Sequence, residues 1–279
     1  AEQLQQLAEH GDTFQKPTAN RLLPFTQQAE ILAKRYDAVV ANPPYMGGKG
    51  MNAELKAFAK KQFPDSKSDL FAMFMERAFD LLNAAGYNAQ VNMQSWMFLS
   101  SYEKMRERIL AEKTILSMAH LGARAFGSIS GEVVQASAFV LANQALAQYK
   151  PTFFRLVEGG EEEKRTTLIN GDNRFNNTIQ EEFKKIPGSP IAYWVSERVR
   201  TLFETSPPMR EFAAPHQGLA STNNDLFFRL WHEVSHAKSG LFLTPAGAKE
   251  SERKWFPIDK GGAFRKWYGN NEFVVNYEY

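Results

Sequence analysis

The sequence predicts an α/β fold built around a mainly parallel β-sheet. Short apolar segments typical of buried strands alternate with segments that have the apolar spacing of amphipathic helices. The order strand, helix, strand, helix, strand across residues 37–122 is the pattern of a parallel sheet with crossover helices. A further apolar segment at 133–144 is predicted to pair with the preceding strand in the antiparallel direction.

Local signals set the bounds of each predicted element. In one helix, Ser68 or Asp69 is the expected N-cap residue, and Gly86 is expected to end that helix. The predicted helices span 2–10, 26–35, 52–63, 68–83 and 101–113, and the predicted strands span 37–41, 87–93, 114–122 and 133–144.

The character of the sequence changes near residue 150. Residues 153–171, FFRLVEGGEEEKRTTLING, are predicted to form a hairpin whose acidic tip at 161–163 is a solvated turn. From residue 192 onward, mixed helix and loop segments carry many aromatic residues. The predicted regions are therefore 1–150, 151–190 and 191–279.

Composition limits the class of protein. The 279 residues are 43% apolar, which is enough for one large or two smaller domains, and the net charge of +2 is compatible with a local basic groove. The absence of cysteine excludes disulfides and thiolate metal sites and is consistent with the cytoplasmic location that we expect. The sequence contains no run of 18 apolar residues, so no membrane span is expected. Because the polar N-terminus lacks an initial Met, we expect a piece of a longer protein.

The most informative segment is YDAVVANPPYMGGKG, residues 36–50. An apolar strand runs directly into Asn42-Pro43-Pro44-Tyr45 and then into a glycine-rich loop. Proline cannot donate to a sheet ladder, so the strand ends here, and the residue before a proline is restricted to extended geometry. Ligands of open α/β sheets bind at the carboxyl ends of strands. The segment therefore predicts a rigid platform that presents an amide, prolyl carbonyls and one aromatic ring to a ligand.

Such a platform suits an adenine base that has left the DNA duplex. Enzymes that modify a base take it out of the stack and into a pocket. Asn42 Oδ1 and the Pro43 carbonyl would accept both hydrogens of the N6 amino group, which favours a pyramidal nitrogen with an available lone pair. Tyr45 would stack on the base and replace base stacking worth about 1–3 kcal/mol.

Asn-Pro-Pro-Tyr after a buried strand resembles the catalytic motif of N6-adenine-specific DNA methyltransferases, which use S-adenosyl-L-methionine. Residues 68–100 resemble the helix, strand and loop that follow the motif in that family. There, Phe74 matches an aromatic residue near the cofactor, although a core role for it stays open. Residues 123–141 resemble the later hairpin whose leading aromatic residue, here Phe126, closes over the other face of the base. The resemblance thus implies a base held between Tyr45 and Phe126.

The C-terminal segments GLASTNNDLFFRLWHEV and KWFPIDKGGAFRKWYGNNEFVVNYEY resemble the large methyltransferases of BREX phage-defence systems. The resemblance implies that target recognition begins here and that double-stranded DNA is the partner. Lys260, Arg265 and Lys266 alternate with aromatic residues as a DNA-contacting surface would, although packing in an aromatic-rich domain is an alternative for each. Other phage-defence proteins and a second copy of the chain are further expected partners.

Two features of that family are missing from this sequence. Members carry a glycine-rich loop that cradles the cofactor's methionine part and an acidic residue that holds its ribose, usually before the motif. The 41 residues before Asn42 contain no such loop, and neither HLGARAFGSISG nor DKGGAFRKWYG follows a strand and opens a helix. We therefore expect a partial Rossmann-like class I methyltransferase sheet with an appended α+β target-recognition segment. Alone, it should bind the cofactor weakly or not at all.

Two other functions stay open. His232-Glu233-x-x-His236 has the spacing of a zinc hydrolase if it lies on a helix, with Glu250 or Glu252 as a third ligand. These residues lie within a segment that already matches the methyltransferases, so no metal is expected. Alternatively, the chain is a DNA-binding or protein-interaction module whose Asn-Pro-Pro-Tyr is vestigial.

Overall fold

The computed structural model describes residues 1–126, 134–214, 219, 221–241 and 243–277. These residues divide into two compact units, Ala1–Pro208 and Met209–Tyr279. The helices are α1 (Glu2–His10), α2 (Gln15–Ala33), α3 (Ala53–Gln62), α4 (Leu70–Leu81), α5 (Glu103–Glu112), α6 (Glu161–Asn170), α7 (Glu197–Thr205), α8 (Asn224–Phe227) and α9 (Pro245–Glu250). The strands are β1 (Tyr36–Ala41), β2 (Leu82–Met93), β3 (Thr114–Gly122), β4 (Ala136–Ala142), β5 (Thr152–Arg155), β6 (Arg174–Phe175), β7 (Phe228–Leu230), β8 (Trp255–Pro257) and β9 (Phe273–Asn276). Within the described ranges, no helix is long and apolar enough to cross a membrane.

The first unit is built on a mixed sheet with strand order β1-β2-β4-β3-β5-β6. β1 is parallel to β2 and β3 is parallel to β5, whereas β4 is antiparallel to both of its neighbours. This arrangement confirms the α/β class, and it confirms the antiparallel pairing predicted for the segment at 133–144.

A hydrophobic core joins α4 and α5 to one face of this sheet. Its largest fully buried side chains include Phe71, Met75, Trp96, Met105, Met118 and Phe153. The opposite face carries small and β-branched apolar side chains that stay partly or largely exposed, among them Val40, Ala89, Val91, Ala119 and Val140. Parallel sheets of doubly wound folds are normally covered on both faces. Here Leu168 of α6 lines this second face together with Val40 and Val140, and the partial extent of the sheet stays a prediction.

The prediction that Gly86 ends α4 is wrong. α4 ends earlier, and β2 begins directly after it and runs through Gly86. A Cβ at this position would lie 3.0 Å from the carbonyl oxygens of both Tyr36 and Asp37, where the β1–β2 register is irregular. Glycine is therefore favoured by the close approach of two strand backbones, which sequence alone does not distinguish from a helix terminus.

The predicted hairpin with an acidic tip is also wrong, because β5 is followed by helix α6. The acidic residues 161–163 form the first turn of that helix, where its dipole favours carboxylates, and Gly171 ends it with φ 73°. Lys164 is buried, and its Nζ donates to the carbonyl oxygens of Leu121 and Leu156 at 2.7 and 2.6 Å. α6 is thus anchored to the ends of β3 and β5.

The functional boundaries near residues 150 and 190 stay predictions. β5 and β6 extend the sheet beyond residue 150 and lie in the same compact unit as β1–β4. The second unit contains the antiparallel sheet β7-β9-β8, in which Val274 and Val275 are buried, together with short helices.

Candidate active site

The Asn42–Tyr45 segment lies at the carboxyl end of β1, next to the parallel strand β2. Asn42 is exposed, Pro43 is buried and Tyr45 is half-buried. The amide side chain is therefore open to a ligand, while the backbone that carries it is packed into the protein.

Tyr45 is held by contacts at both its ring and its hydroxyl group. The hydroxyl donates to the carbonyl oxygen of Val91 at 3.1 Å, and the ring meets Phe71 edge to face with centroids 6.1 Å apart. Burial raises the pKa of Tyr45, so the phenol stays protonated and remains a donor at neutral pH. The ring is thus fixed in orientation before any ligand arrives.

Asp69 connects the loop after Tyr45 to the start of α4. Its Oδ1 accepts from the backbone N–H of Met46 at 2.8 Å and from that of Phe71 at 3.3 Å. Of the two predicted N-cap residues, the structure uses Asp69, and its bond to the loop was not predicted. The backbone N–H of Leu70 also donates to the carbonyl of Met46 at 3.2 Å. One buried carboxylate therefore caps the helix and fixes the loop.

We expect Asp69→Ala to release this loop. A hydrogen bond to a charged group contributes about 1.5–3 kcal/mol, so amide exchange at Met46 and Gly48 should accelerate roughly 10- to 100-fold in hydrogen-exchange mass spectrometry. The matched control is Asn52→Ala, which removes the N-cap of α3, a 2.8 Å bond from the Leu55 N–H, without touching the loop. Equal acceleration in the two variants, or none with Asp69→Ala, would contradict this role.

The structure places the other predicted residues of the first unit as follows. Phe74 lies on α4 with 44% of its surface exposed, which disfavours a purely core role, and its carbonyl oxygen accepts from Gln90 Nε2 at 3.3 Å. Phe126 is half-buried beyond the end of β3, and residues 127–133 of the predicted closing hairpin lie outside the described residues. The roles of Phe74 at the cofactor and of Phe126 at the base stay predictions.

The three predicted DNA-contacting cations lie in the second unit. Lys260 Nζ is 5.1 and 4.4 Å from the ring centroids of Phe228 and Phe273, so part of its role is packing on the small sheet. Arg265 is exposed, and Lys266 is exposed with its Nζ 5.4 Å from the Trp267 ring. The exposed pair is the better candidate for contacts with a ligand.

The zinc-hydrolase alternative requires His232 and His236 to lie on one helix, and the structure does not place them so. Trp231–Glu233 and His236–Lys238 form two separate 3-10 turns, so the two histidines do not share a helical face. Glu233 Oε2 accepts from the backbone N–H of Leu230 at 2.7 Å. Across the described part of the chain, no cluster of three metal-ligating side chains is found.

A ladder of buried amides on β2 was missed by sequence reasoning. Gln90 Nε2 donates to Asn88 Oδ1 at 2.8 Å, and Asn92 Nδ2 donates to Gln90 Oε1 at 3.0 Å. Asn88 Nδ2 donates to the carbonyl of Met75 on α4 at 3.2 Å. The alternation Asn-x-Gln-x-Asn, in a strand whose neighbouring positions are apolar, is the sequence pattern that could have indicated this ladder. At the carboxyl end of the ladder, Asn92 Oδ1 is buried without a hydrogen-bond partner among the described residues.

A row of polar side chains crosses the sheet at this same edge. The strand register pairs Asn92 with Ser137, Ser137 with His120, and His120 with Arg155. Ser137 and Asn92 are fully buried and His120 is 5% exposed. In the described structure, Arg155 Nε at the far end of the row is buried without a hydrogen-bond partner. Buried polar groups are normally paired, so the row ends in an unused acceptor and an unused donor.

His120, in the middle of this row, is a neutral imidazole. Its Nε2 lies 2.7 Å from Gln94 Oε1, and its Nδ1 lies 3.1 Å from the Tyr193 hydroxyl. Because an amide oxygen only accepts, Nε2 carries the proton and Nδ1 accepts from Tyr193. Burial, followed by the positive charges of Arg155 and Lys164, lowers the pKa of His120 to about 4.

We expect this histidine to make the protein sensitive to acid. The pKa is near 6.5 in an unfolded chain and about 4 in the folded one, so the unfolded state binds more protons between these values. Stability is then fully present above pH 6.5 and falls by on the order of 2–3 kcal/mol as the pH drops to 4. His120→Gln should reduce the shift in urea midpoint between pH 7 and pH 4.5, whereas His10→Gln on exposed α1 should not. Identical acid shifts in wild type and His120→Gln would refute this assignment.

Comparison with known proteins relates the whole chain to one group of enzymes. Residues 1–126 match the model of the Eco57I restriction-modification methylase family. The chain is 57% identical over 278 residues to the adenine-specific methyltransferase BrxX of Escherichia coli O9:H4 (strain HS), which covers 99% of this chain and 22% of that protein. It is 44% identical over 256 residues to the adenine-specific methyltransferase PglX of Lacticaseibacillus casei (strain Zhang). That alignment covers 89% of this chain and 21% of that protein. The chain spans about a fifth of the length of the curated relatives that it matches.

Two solved structures resemble the chain in part. A DrdV–DNA complex aligns with a TM-score of 0.45 at 15% identity, over 62% of this chain and 20% of that one. The second is a nuclease-deletion mutant of the Type ISP restriction-modification enzyme LlaGI in complex with a DNA substrate mimic. It aligns with a TM-score of 0.43 at 15% identity, over 61% of this chain and 19% of that one. The relation of this chain to other proteins therefore rests on the sequence matches.

Proposed function

We propose that this chain, which is homologous to adenine-specific methyltransferases over nearly all of its length, forms the adenine-binding half of a DNA methyltransferase active site. The reaction is transfer of a methyl group from S-adenosyl-L-methionine to N6 of adenine in double-stranded DNA. One observation carries the proposal: an exposed Asn42 at the carboxyl end of a parallel strand, on a loop fixed by Tyr45 and Asp69.

Asn42 and Pro43 act on the N6 amino group. Asn42 Oδ1 and the Pro43 carbonyl oxygen accept its two hydrogens and hold the nitrogen lone pair toward the incoming methyl group. The loop that carries these acceptors is held in advance by the contacts of Tyr45 and Asp69, so little rearrangement is needed when positive charge develops on N6. In the overall reaction, N6 gains the methyl group and loses one of its hydrogens as a proton.

Tyr45 supplies a stacking surface for the extruded base. The bond to Val91 and the contact with Phe71 hold its ring, so little side-chain entropy is lost when the base arrives. Stacking on such a ring contributes about 1–3 kcal/mol. We assign the opposite face of the base to Phe126. Neither ring reads the identity of the base, so the adenine-specific contacts belong to Asn42 and Pro43.

The cofactor provides the methyl group on a positively charged sulfur. The exposed ring of Phe74 on α4 fits a contact with it, because the ring of a core residue would be covered. Within the described ranges, the glycine-bearing segment 259–269 lies outside any helix or strand and forms no cradle at a helix start. We assign the cradle to other parts of the full-length protein, so this chain contributes one side of the cofactor site.

The second unit is assigned to DNA contact. Arg265 and Lys266 are exposed beside Phe264, Trp267 and Tyr268, whose exposed fractions are 89%, 89% and 84%. Exposed cations alternating with exposed rings suit phosphate contacts and base stacking. The setting that we propose is phage defence in the cytoplasm, where the methyl mark labels the cell's own DNA.

The function is tested with the full-length protein. Tritiated methyl from S-adenosyl-L-methionine should appear in unmethylated duplex DNA, with any required partner proteins present. If no label enters DNA of several sequences while the protein still binds DNA, the chain belongs to a binding module with a vestigial motif.

A further inference from the structure

A ligand-sized cavity lies at the same edge of the sheet as the Asn42 platform. Its volume is about 380 Å³, and it lies at the carboxyl ends of β3 and β5. Its walls include Gln94, Phe98, His120, Gln135, Arg155 and Trp194. No step of the proposed reaction uses this cavity.

One wall of the cavity offers an anion-binding group. Arg155 Nε is buried without a partner in the described structure, and the guanidinium carbon lies 5.7 Å from the centroid of the Trp194 ring. The indole therefore orients the planar cation while leaving its donors available. Lys164 adds positive charge near His120, but Glu158 and Glu163 lie near Lys164 as well as Arg124, so Arg155 is the main positive group of the cavity. Neutral His120 does not add to this charge. The cavity therefore favours an anion over a cation.

The other walls form an aromatic platform. The ring centroids of Phe98, His120 and Trp194 lie 5.7–5.9 Å from one another, and Trp194 is 36% exposed. Gln94 and Gln135 also line the cavity, where Gln94 Nε2 donates to Gln135 Oε1 and Gln94 Oε1 accepts from His120 Nε2. Stacking rings, rim amides and one fixed guanidinium are the groups that bind a nucleotide, because each base has a π-face and each phosphate accepts from arginine.

The position of the cavity separates it from the site of the adenine. Arg155 is on β5, four strand intervals from β1 in the order β1-β2-β4-β3-β5, which corresponds to about 19 Å at roughly 4.8 Å per interval. Gln94, which follows β2, lies on the side of the cavity nearer to the platform. Gly122 and Gln135, at either end of the β3–β4 loop that carries Phe126, both line the cavity. A nucleotide whose phosphate binds Arg155 would therefore be a different one from the adenine at Asn42.

We propose that this cavity binds a nucleotide of the DNA strand near the extruded adenine, with Arg155 on its phosphate and Trp194 and Phe98 stacking on its base. The proposal rests on the proposed function in one respect, which is that DNA is the substrate. It adds a second anchor that holds the strand while the adenine is out of the duplex. A free mononucleotide has the same chemistry, and the test separates these two sources.

The test is the salt dependence of duplex DNA binding by the full-length protein. Each phosphate contact contributes about 0.9 to the slope of log K against log salt concentration. Arg155→Ala should therefore lower the slope by about 0.9 and weaken binding at low salt by roughly tenfold. Trp194→Ala should weaken binding roughly 5- to 100-fold with the slope unchanged, because stacking releases no counterions.

Arg77→Ala is the matched control. Arg77 is an exposed arginine in the second half of α4, toward the opposite edge of the sheet, and it pairs with Asp80 at 3.4 Å. It should leave both slope and affinity unchanged. If Arg155→Ala does not fold, Arg155→Lys keeps the charge and should keep the slope while losing affinity.

Three results would overturn the proposal. One is a folded Arg155→Ala protein with the slope and affinity of wild type. Another is binding of deoxyadenosine monophosphate that depends on Arg155 while DNA binding does not, which would make the cavity a mononucleotide site. In both cases methyl transfer by wild type is unaffected, so the proposed function survives. If wild type binds no duplex DNA, both proposals fail.

Discussion

Replacing Asn42 by alanine is expected to slow single-turnover methyl transfer by roughly 10²–10³-fold while leaving folding and DNA affinity unchanged. This is the size of the loss when one preorganised polar contact is removed from a transition state. Asn42 is exposed and the neighbouring Tyr45 and Asp69 hold the loop, so the substitution removes a chemical group without disturbing the platform.

Two further variants make this result specific. Asn177→Ala removes an exposed loop amide elsewhere in the same unit and should leave the rate unchanged. Asn42→Asp keeps an acceptor oxygen at the same place, so its rate should fall less than that of Asn42→Ala. A rate within a few-fold of wild type for Asn42→Ala would remove Asn42 from the chemistry.

Arg106→Met is expected to have the largest effect on stability. Arg106 is 1% exposed, and burial lowers its pKa. Its guanidinium donates to the carbonyl oxygens of Trp96, Leu99, Gly188 and Ser189 at 2.9–3.0 Å. Removing it leaves these carbonyls without their donor, and breaking a buried charged network costs about 3–5 kcal/mol. Because this residue joins the segment after β2 to residues 186–195, both should open together.

Hydrogen exchange shows which segments lose stability in Arg106→Met. Amides of residues 94–102 and 186–195 should exchange at least 100-fold faster in Arg106→Met, since about 1.4 kcal/mol corresponds to tenfold. Arg108→Met on the same helix is the matched control. Arg108 is 44% exposed, and it pairs with Glu76 and, at 3.4 Å, with Asp65. Glu76 and Asp65 are 13% and 24% exposed, but Arg108 itself is open to solvent, so this variant should accelerate exchange much less than Arg106→Met. Equal effects of the two substitutions would refute the role of Arg106.

Features encoded within one element were predictable from the sequence. The bounds predicted for α1 and β3 match the structure, and those for α3 differ by one residue at each end, because periodicity and capping act over a few residues. α2 shows the limit of such signals. The sequence predicts a helix over 26–35, yet α2 spans Gln15–Ala33 and contains Pro24.

The candidate site likewise has a part that the sequence predicts and a part that it does not. Asn42-Pro43-Pro44-Tyr45 is contiguous, so its stiffness and its place at a strand end follow from the sequence. What fixes it is distant in the chain, because Met46 binds Asp69 and Tyr45 binds Val91, which are 23 and 46 residues apart. The polar row from Asn92 to Arg155 exists only through strand register across four strands. No local pattern specifies that register.

The most direct test of the adenine platform is the identity of the methylated nucleoside. DNA treated with the full-length protein is digested to nucleosides and separated by mass, for wild type, Asn42→Ala and Asn177→Ala. The proposed function predicts N6-methyldeoxyadenosine from wild type and Asn177→Ala, and a loss of that product with Asn42→Ala. Methyl groups on cytosine, or undiminished N6-methyldeoxyadenosine from Asn42→Ala, would contradict the assignment of Asn42 to the adenine N6.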